Sequence, residues 1–129
     1  MIMINIDNTT ILLLMTLLIA KHFIVDFIWQ TPYQWQHKHI FGHPGGIIHS
    51  GLHLLVSWTS LGLIFGFFTL SLITAVIIEF ILHYFIDWSK MNFTIHFNIK
   101  PDNPIFWHIL GFDQMLHYLT YIWMIYYII

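Results

Sequence analysis

Five pairs of ionisable residues recur at a spacing of four along an otherwise apolar chain: His22 and Asp26, His49 and His53, Glu79 and His83, His83 and Asp87, Asp113 and His117. At 3.6 residues per turn this spacing stacks two side chains on one helix face, about 6 Å apart along the axis. Imidazoles and carboxylates gathered in this way are donors for a divalent metal ion. The chain has no cysteine, so the donor set suits zinc, iron or manganese better than copper(I) or an iron–sulfur cluster. Nine groups exceed what one tetrahedral ion needs. Two ions, or one ion with a general base and orienting residues, would use them. The ligand candidates are His22, Asp26, His49, His53, His83, Asp87, Asp113 and His117, with Asp26 and Asp87 as candidate catalytic proton acceptors. Glu79, Gln30, Gln114 and Lys90 extend the same faces as supporting residues.

The elements that must position these groups are transmembrane helices. Of 129 residues, 58% are hydrophobic and 8% charged, and the mean hydropathy is +0.75, outside the range of ordinary soluble domains. A hydrocarbon core of about 30 Å needs about 20 helical residues per crossing. Four stretches qualify, at approximately 9–30, 46–65, 67–88 and 108–129, so the expected fold is all-α, a four-helix transmembrane up-down bundle forming a single integral membrane domain over 1–129. The start "MIMINIDNTT" lacks the basic cluster of a signal peptide, and the first span is expected to be retained. Pro32, Pro44 and the Gly45–Gly46 pair break the chain between the first two spans. Pro101 and Pro104 do so between the last two, and the second and third spans meet in a tight turn around "FGFF".

In such a bundle the two longer loops share a side. They carry Lys38, Lys90 and Lys100, while the other connection and both ends carry no lysine, so the positive-inside rule puts these loops in the cytoplasm and both termini outside. The expected location is therefore a membrane crossed several times, with the polar layer toward the cytoplasm. Trp29, Trp88 and Trp107 fall where an interfacial aromatic belt on that face would lie.

The paired residues come late in the first and third spans and early in the second and fourth, which is one depth in an up-down bundle. Only Glu79 falls deeper, roughly 12 Å from Asp87 at 1.5 Å per residue. An aspartate at the centre of a spanning helix costs about 2.5–3.5 kcal/mol, less toward the interface, and several such costs need a common offset. A lone histidine in a helix is ordinarily a hydrogen-bonded packing residue, and one Asp–His pair can simply bridge two helices. Four pairs in one layer point to a site. Lys21 and Lys90 flank the layer and are expected to snorkel to the interface. His37, His39, His43, His96 and His108 lie in or beside loops and are expected to be solvated, with His43 a secondary candidate for extra coordination.

The ordered motifs H-F-x-x-D-F-x-x-Q (His22 to Gln30), H-x-x-x-H (His49, His53), H-x-x-x-D-x-x-K (His83 to Lys90) and D-Q-x-x-H (Asp113 to His117) span Lys21 to Tyr118. The chain resembles, in these motifs, a domain-of-unknown-function family of small integral membrane proteins of bacteria and their phages. Glu79 lies outside the pattern. The family also looks distantly similar in style to small membrane proteins labelled metal-dependent hydrolases.

The leading functional expectation is a membrane-embedded metal-binding protein that hydrolyses a lipid or lipid-linked substrate at the cytoplasmic leaflet, with the bilayer as its other partner. All four basic residues are lysines, and the absence of arginine argues against nucleic acid as a partner and weakens a phosphate-ester substrate. The alternatives are a phage-type effector with a structural metal site, metal or proton transport through the cluster, and haem held by two histidines such as His53 and His117.

Overall fold

The computed structural model describes residues 6–129, so the first five residues of the stretch in which no signal peptide is expected lie outside it. The described residues are helical with short connections: α1 (Asn8–Phe23) runs into a π-helical turn (Ile24–Ile28), followed by α2 (Pro32–His37), α3 (Pro44–Phe65), α4 (Leu70–His96) and α5 (Pro104–Ile128). Three helical stretches are long and apolar enough to cross a membrane: Asn8–Ile28, Pro44–Phe65 and Leu70–His96. The fourth expected span, α5, has 25 residues, but its tyrosines and its polar His108, Asp113, Gln114 and His117 keep it outside that set.

Helix ends follow local chemistry. Asp7 opens α1 by accepting from the Thr10 backbone N–H at 2.8 Å, a bond that holds its carboxyl below the usual carboxylate range. Asn103 caps α5 through Ile105 N–H at 3.0 Å, with Pro104 in the first turn, so this helix starts four residues before the expected 108. The third expected span ends at 88, whereas α4 runs two turns further, because "SKMNFTIH" contains no breaker. It also starts at Leu70 rather than 67, since Gly66 to Thr69 form the turn. Gly66 adopts φ 88°, and its N–H closes α3 on the Gly62 carbonyl at 2.9 Å.

The connection before α3 was expected to be a loop, and it contains a helix. Pro32 starts α2 rather than breaking it, and Thr31 and Gln34 form a reciprocal capping box. The Gly45–Gly46 pair likewise does not interrupt α3 but sits in its first turn. A Cβ on Gly45 would lie 2.7 Å from the Tyr33 carbonyl oxygen, so glycine is what lets α2 close onto α3. Gly42 N–H donates to Tyr84 Oη at 2.6 Å and Asn92 Nδ2 to the His39 carbonyl at 2.9 Å, tying this connection to α4.

α1 packs against α3 and α5, α3 against α4, and α4 against α5, so the four long helices surround one interior. Each inward stripe changes character along its length. On α3 it reads His49, His53, Ser57, Leu61; on α4, Asp87, His83, Glu79, Ala75, Leu72; on α5, Asp113, His117, Tyr121, Met124. On α1 it reads His22, Leu18, Leu14. The apolar half is a closed core of leucines, Met124, Tyr121 and Ile125, none more than 6% exposed. The polar half is the candidate site.

Candidate metal centre

The π turn shapes the first contribution. Trp29 N–H bonds to the Ile24 carbonyl at 2.9 Å, five residues back, and Asp26 lies inside this widened turn. Such insertions are frequent at functional sites because they redirect one side chain without ending the helix. Asp26 Oδ1 lies 2.9 Å from His53 Nε2 and 3.0 Å from His49 Nε2, while its Oδ2 lies 3.1 Å from His22 Nε2. His49 Nε2 is 3.1 Å from His83 Nε2.

His83 is the hub of the cluster. Its ring centroid is 3.7 Å from that of His53, 4.2 Å from His117, 5.1 Å from His49 and 5.9 Å from His22. Its imidazole thus packs against both His53 and His117, in the space a haem macrocycle between those two would require. All five histidines are 0–1% exposed.

Three groups of side chains each present ligand atoms within 4.8 Å of one another: Asp26 with His49, His53 and His83; His22 with His83 and His117; and Asp87 with Asp113 and His117. All eight sequence candidates for ligation therefore meet in one cluster. In the last group His117 Nε2 lies 3.6 Å from Asp87 Oδ1 and 3.7 Å from Asp113 Oδ1. These three atoms lack hydrogen-bond partners among the described residues.

The supporting residues divide. Gln114 Oε1 lies 2.9 Å from His22 Nε2, and its amide donates to Asp113 Oδ2 at 3.1 Å, so it belongs to the cluster. Gln30 donates to the Asp26 backbone carbonyl at 3.0 Å and serves the helix end instead. Lys90 donates to Asp113 Oδ2 at 3.2 Å. Glu79 forms an ion pair with Lys21.

Two lysines depart from expectation. Lys21 does not snorkel: its ammonium is buried against Glu79, 3.3 Å from His53 Nδ1 and 4.8 Å above the Tyr121 ring. Lys38, expected on a solvated loop, is folded inward by α2 and lies 2.6 Å from Asp87 Oδ2. The sequence signal for Lys21 is its position one residue before His22 within an apolar run. For Lys38 no pattern in the sequence marks it. His43 belongs to none of the three groups; its Nδ1 accepts from Gly45 N–H at 3.0 Å at the start of α3.

Four carboxylates, Asp26, Glu79, Asp87 and Asp113, face three ammonium groups, Lys21, Lys38 and Lys90; a proton on His117, between Asp87 and Asp113, would supply a fourth positive charge on that flank, away from Asp26. Asp26 is the carboxylate of the four with no ammonium within 4.0 Å among the described residues. An ammonium only donates, so Lys21 makes His53 Nδ1 an acceptor, and a neutral His53 then donates from Nε2 to Asp26. A neutral His49 has at most one hydrogen on Nε2, for Asp26 Oδ1 at 3.0 Å and His83 Nε2 at 3.1 Å. A cation shared by Asp26 Oδ1, His49 Nε2 and His83 Nε2 would resolve both deficits. Bonds of about 2.1 Å at about 90–109° put ligand atoms roughly 3.0–3.4 Å apart; two of the separations, 3.0 and 3.1 Å, fall in that range, and the third, Asp26 Oδ1 to His83 Nε2, is wider at 3.9 Å.

No curated protein and no solved structure matches the chain. A family model described as "Protein of unknown function (DUF3307)" matches residues 13–129, a span that contains every member of the cluster, and the chain belongs to that family.

Proposed function

We propose that this chain is an integral membrane protein that binds one divalent cation (zinc, iron or manganese) through Asp26, His49 and His83 and hydrolyses a lipid or lipid-linked ester. The carrying observation is Asp26, a buried carboxylate with no ammonium within 4.0 Å among the described residues, set among imidazole nitrogens at ligand spacing. His53 is a positioning residue that donates to Asp26, and His22 orients its second oxygen. One ion fits better than two, because Lys38 and Lys90 already neutralise Asp87 and Asp113.

α5 completes a four-span up-down bundle in this reading: it packs against α1 and α4 and contributes Asp113, Gln114 and His117 to the same interior. The polar layer lies toward the cytoplasmic leaflet, at the depth of lipid ester groups, and both termini lie on the far side. Transport is disfavoured by the closed apolar core beyond Lys21 and Glu79.

A cation held there would polarise an ester oxygen and acidify a water molecule. The chain's own residues supply the rest. Asp87 borders the three proposed ligands, with Oδ2 3.4 Å from both His49 Nε2 and His83 Nε2 and Oδ1 facing His117, and would take the proton of the attacking water. His117, an imidazolium between Asp87 and Asp113 in this reading, would give its proton to the departing alcohol and regain one from Asp87. Water and ester are thereby converted to acid and alcohol with no other reactant.

The test is release of acid from a panel of lipid esters by protein purified in mild detergent, alongside Asp87→Asn. Metal-dependent release that Asp87→Asn abolishes without loss of bound metal supports hydrolysis. A metal-loaded protein with no turnover reduces the reading to a non-catalytic metal site.

A further inference from the structure

Between α4 and α5 lies a groove of about 610 Å³, within the roughly 300–1,000 Å³ typical of small-molecule sites. Its α4 wall follows one stripe, Leu82, Ile86, Ser89, Lys90 and Phe93, and its α5 wall runs antiparallel from Leu116 to His108. Leu82 and Phe93 are eleven helical steps apart, about 16 Å, close to half of a hydrocarbon core of about 30 Å. The groove is therefore one leaflet long.

Its chemistry is graded. Leu82, Ile86, Phe112 and Leu116 line the deep end, while Ser89, Lys90 and His108 gather at the end nearer the α4–α5 connection. Phe85 and Phe112 stand at the wall 46% and 57% exposed, so the groove opens sideways, to lipid in a membrane. It also meets the cluster. Lys90 and Asp113 line it, and Lys90 is the one ammonium of the three with appreciable exposure, 20% against 3% for Lys21 and 5% for Lys38. An ammonium has three donors, and Lys90 uses one on Asp113.

We infer that this groove seats one acyl chain of a phospholipid, with the headgroup phosphate held by Lys90 beside His108 and the ester region presented to the Asp113 flank of the cluster. A lysine serves here as a point charge for phosphate. The inference deepens the proposed function by naming its substrate class and rests on the membrane-embedded reading; the groove itself does not depend on the metal.

The experiment uses the full chain in phosphatidylcholine nanodiscs containing a trace of phosphatidylglycerol with a diazirine in its acyl chain. A diacylglycerol with the same diazirine chain is run in parallel, and crosslinked peptides are mapped by mass spectrometry. Phosphatidylglycerol labels should concentrate on Leu82, Ile86, Phe112 and Leu116 and be displaced by unlabelled phosphatidylglycerol. Ile86→Trp, which fills the groove, should reduce them about tenfold. Label spread evenly around the helices, or equal groove labelling by the phosphate-free probe, overturns the inference. Competition in the unaltered chain gives this answer even if Ile86→Trp does not fold. Metal content is measured on the same samples: groove labelling without metal sinks the metal centre alone, and bound metal with even labelling sinks the groove alone.

Discussion

Lys38 Nζ lies 2.6 Å from Asp87 Oδ2, and both side chains are nearly buried, so an ammonium from the α2–α3 connection closes one flank of the histidine cluster. Removing one partner of a buried pair strands the other, at a cost of about 3–5 kcal/mol. Lys38→Met is expected to lower the thermal unfolding midpoint in detergent, and Lys38→Met with Asp87→Leu to recover part of the loss. An unchanged midpoint in the single variant would show that Asp87 is not held by Lys38.

The Lys21–Glu79 pair lies on the apolar side of the cluster and is expected to behave as a unit. Lys21→Met and Glu79→Gln should each destabilise, and the double variant should lose less than the two combined, a coupling of about 0.5–3 kcal/mol in a double-mutant cycle. Lys21→Met should also change metal affinity, because it frees the hydrogen placement on His53. Strict additivity of the two stability losses would contradict the coupling.

Much of the site was legible because a helical spacing of four is a local rule, and the eight ligand candidates follow from it together with the order of the spans. What was not legible depends on contacts across helices. Lys38 enters the cluster only because α2 forms and Gly45 lets it approach Tyr33. Asp26 reaches His49 and His53 from within a π turn, which "IVDFI" does not announce. Glu79, outside every motif, has its role from Lys21 on another helix.

Glycine placement gives a prediction about the α3–α4 turn. A Cβ on Gly62 would lie 2.5 Å from the Phe67 ring, whereas one on Gly51 meets nothing within 4 Å. Gly62→Ala is expected to destabilise by about 1–3 kcal/mol, and Gly51→Ala to be neutral or stabilising by up to about 1 kcal/mol. Thermal melts of the two variants side by side check this; equal effects would mean the Phe67 ring moves freely.

Metal binding should be pH-dependent with a definite sign. His49 and His83 must be neutral to ligate, so protons compete with the cation and affinity falls as pH decreases. Calorimetric titration at several pH values should show more protons released on binding as the pH is lowered. Affinity that rises on acidification would exclude imidazole ligation.

The central claim is most directly tested by elemental mass spectrometry of the chain purified in mild detergent, before and after dialysis against zinc, iron(II) or manganese(II). One divalent ion per chain is predicted, lost in Asp26→Asn and in His49→Ala with His83→Ala, while Gln30→Ala retains it. No ion bound by the unaltered chain, or an undiminished ion in the His49→Ala and His83→Ala double variant, would contradict the account.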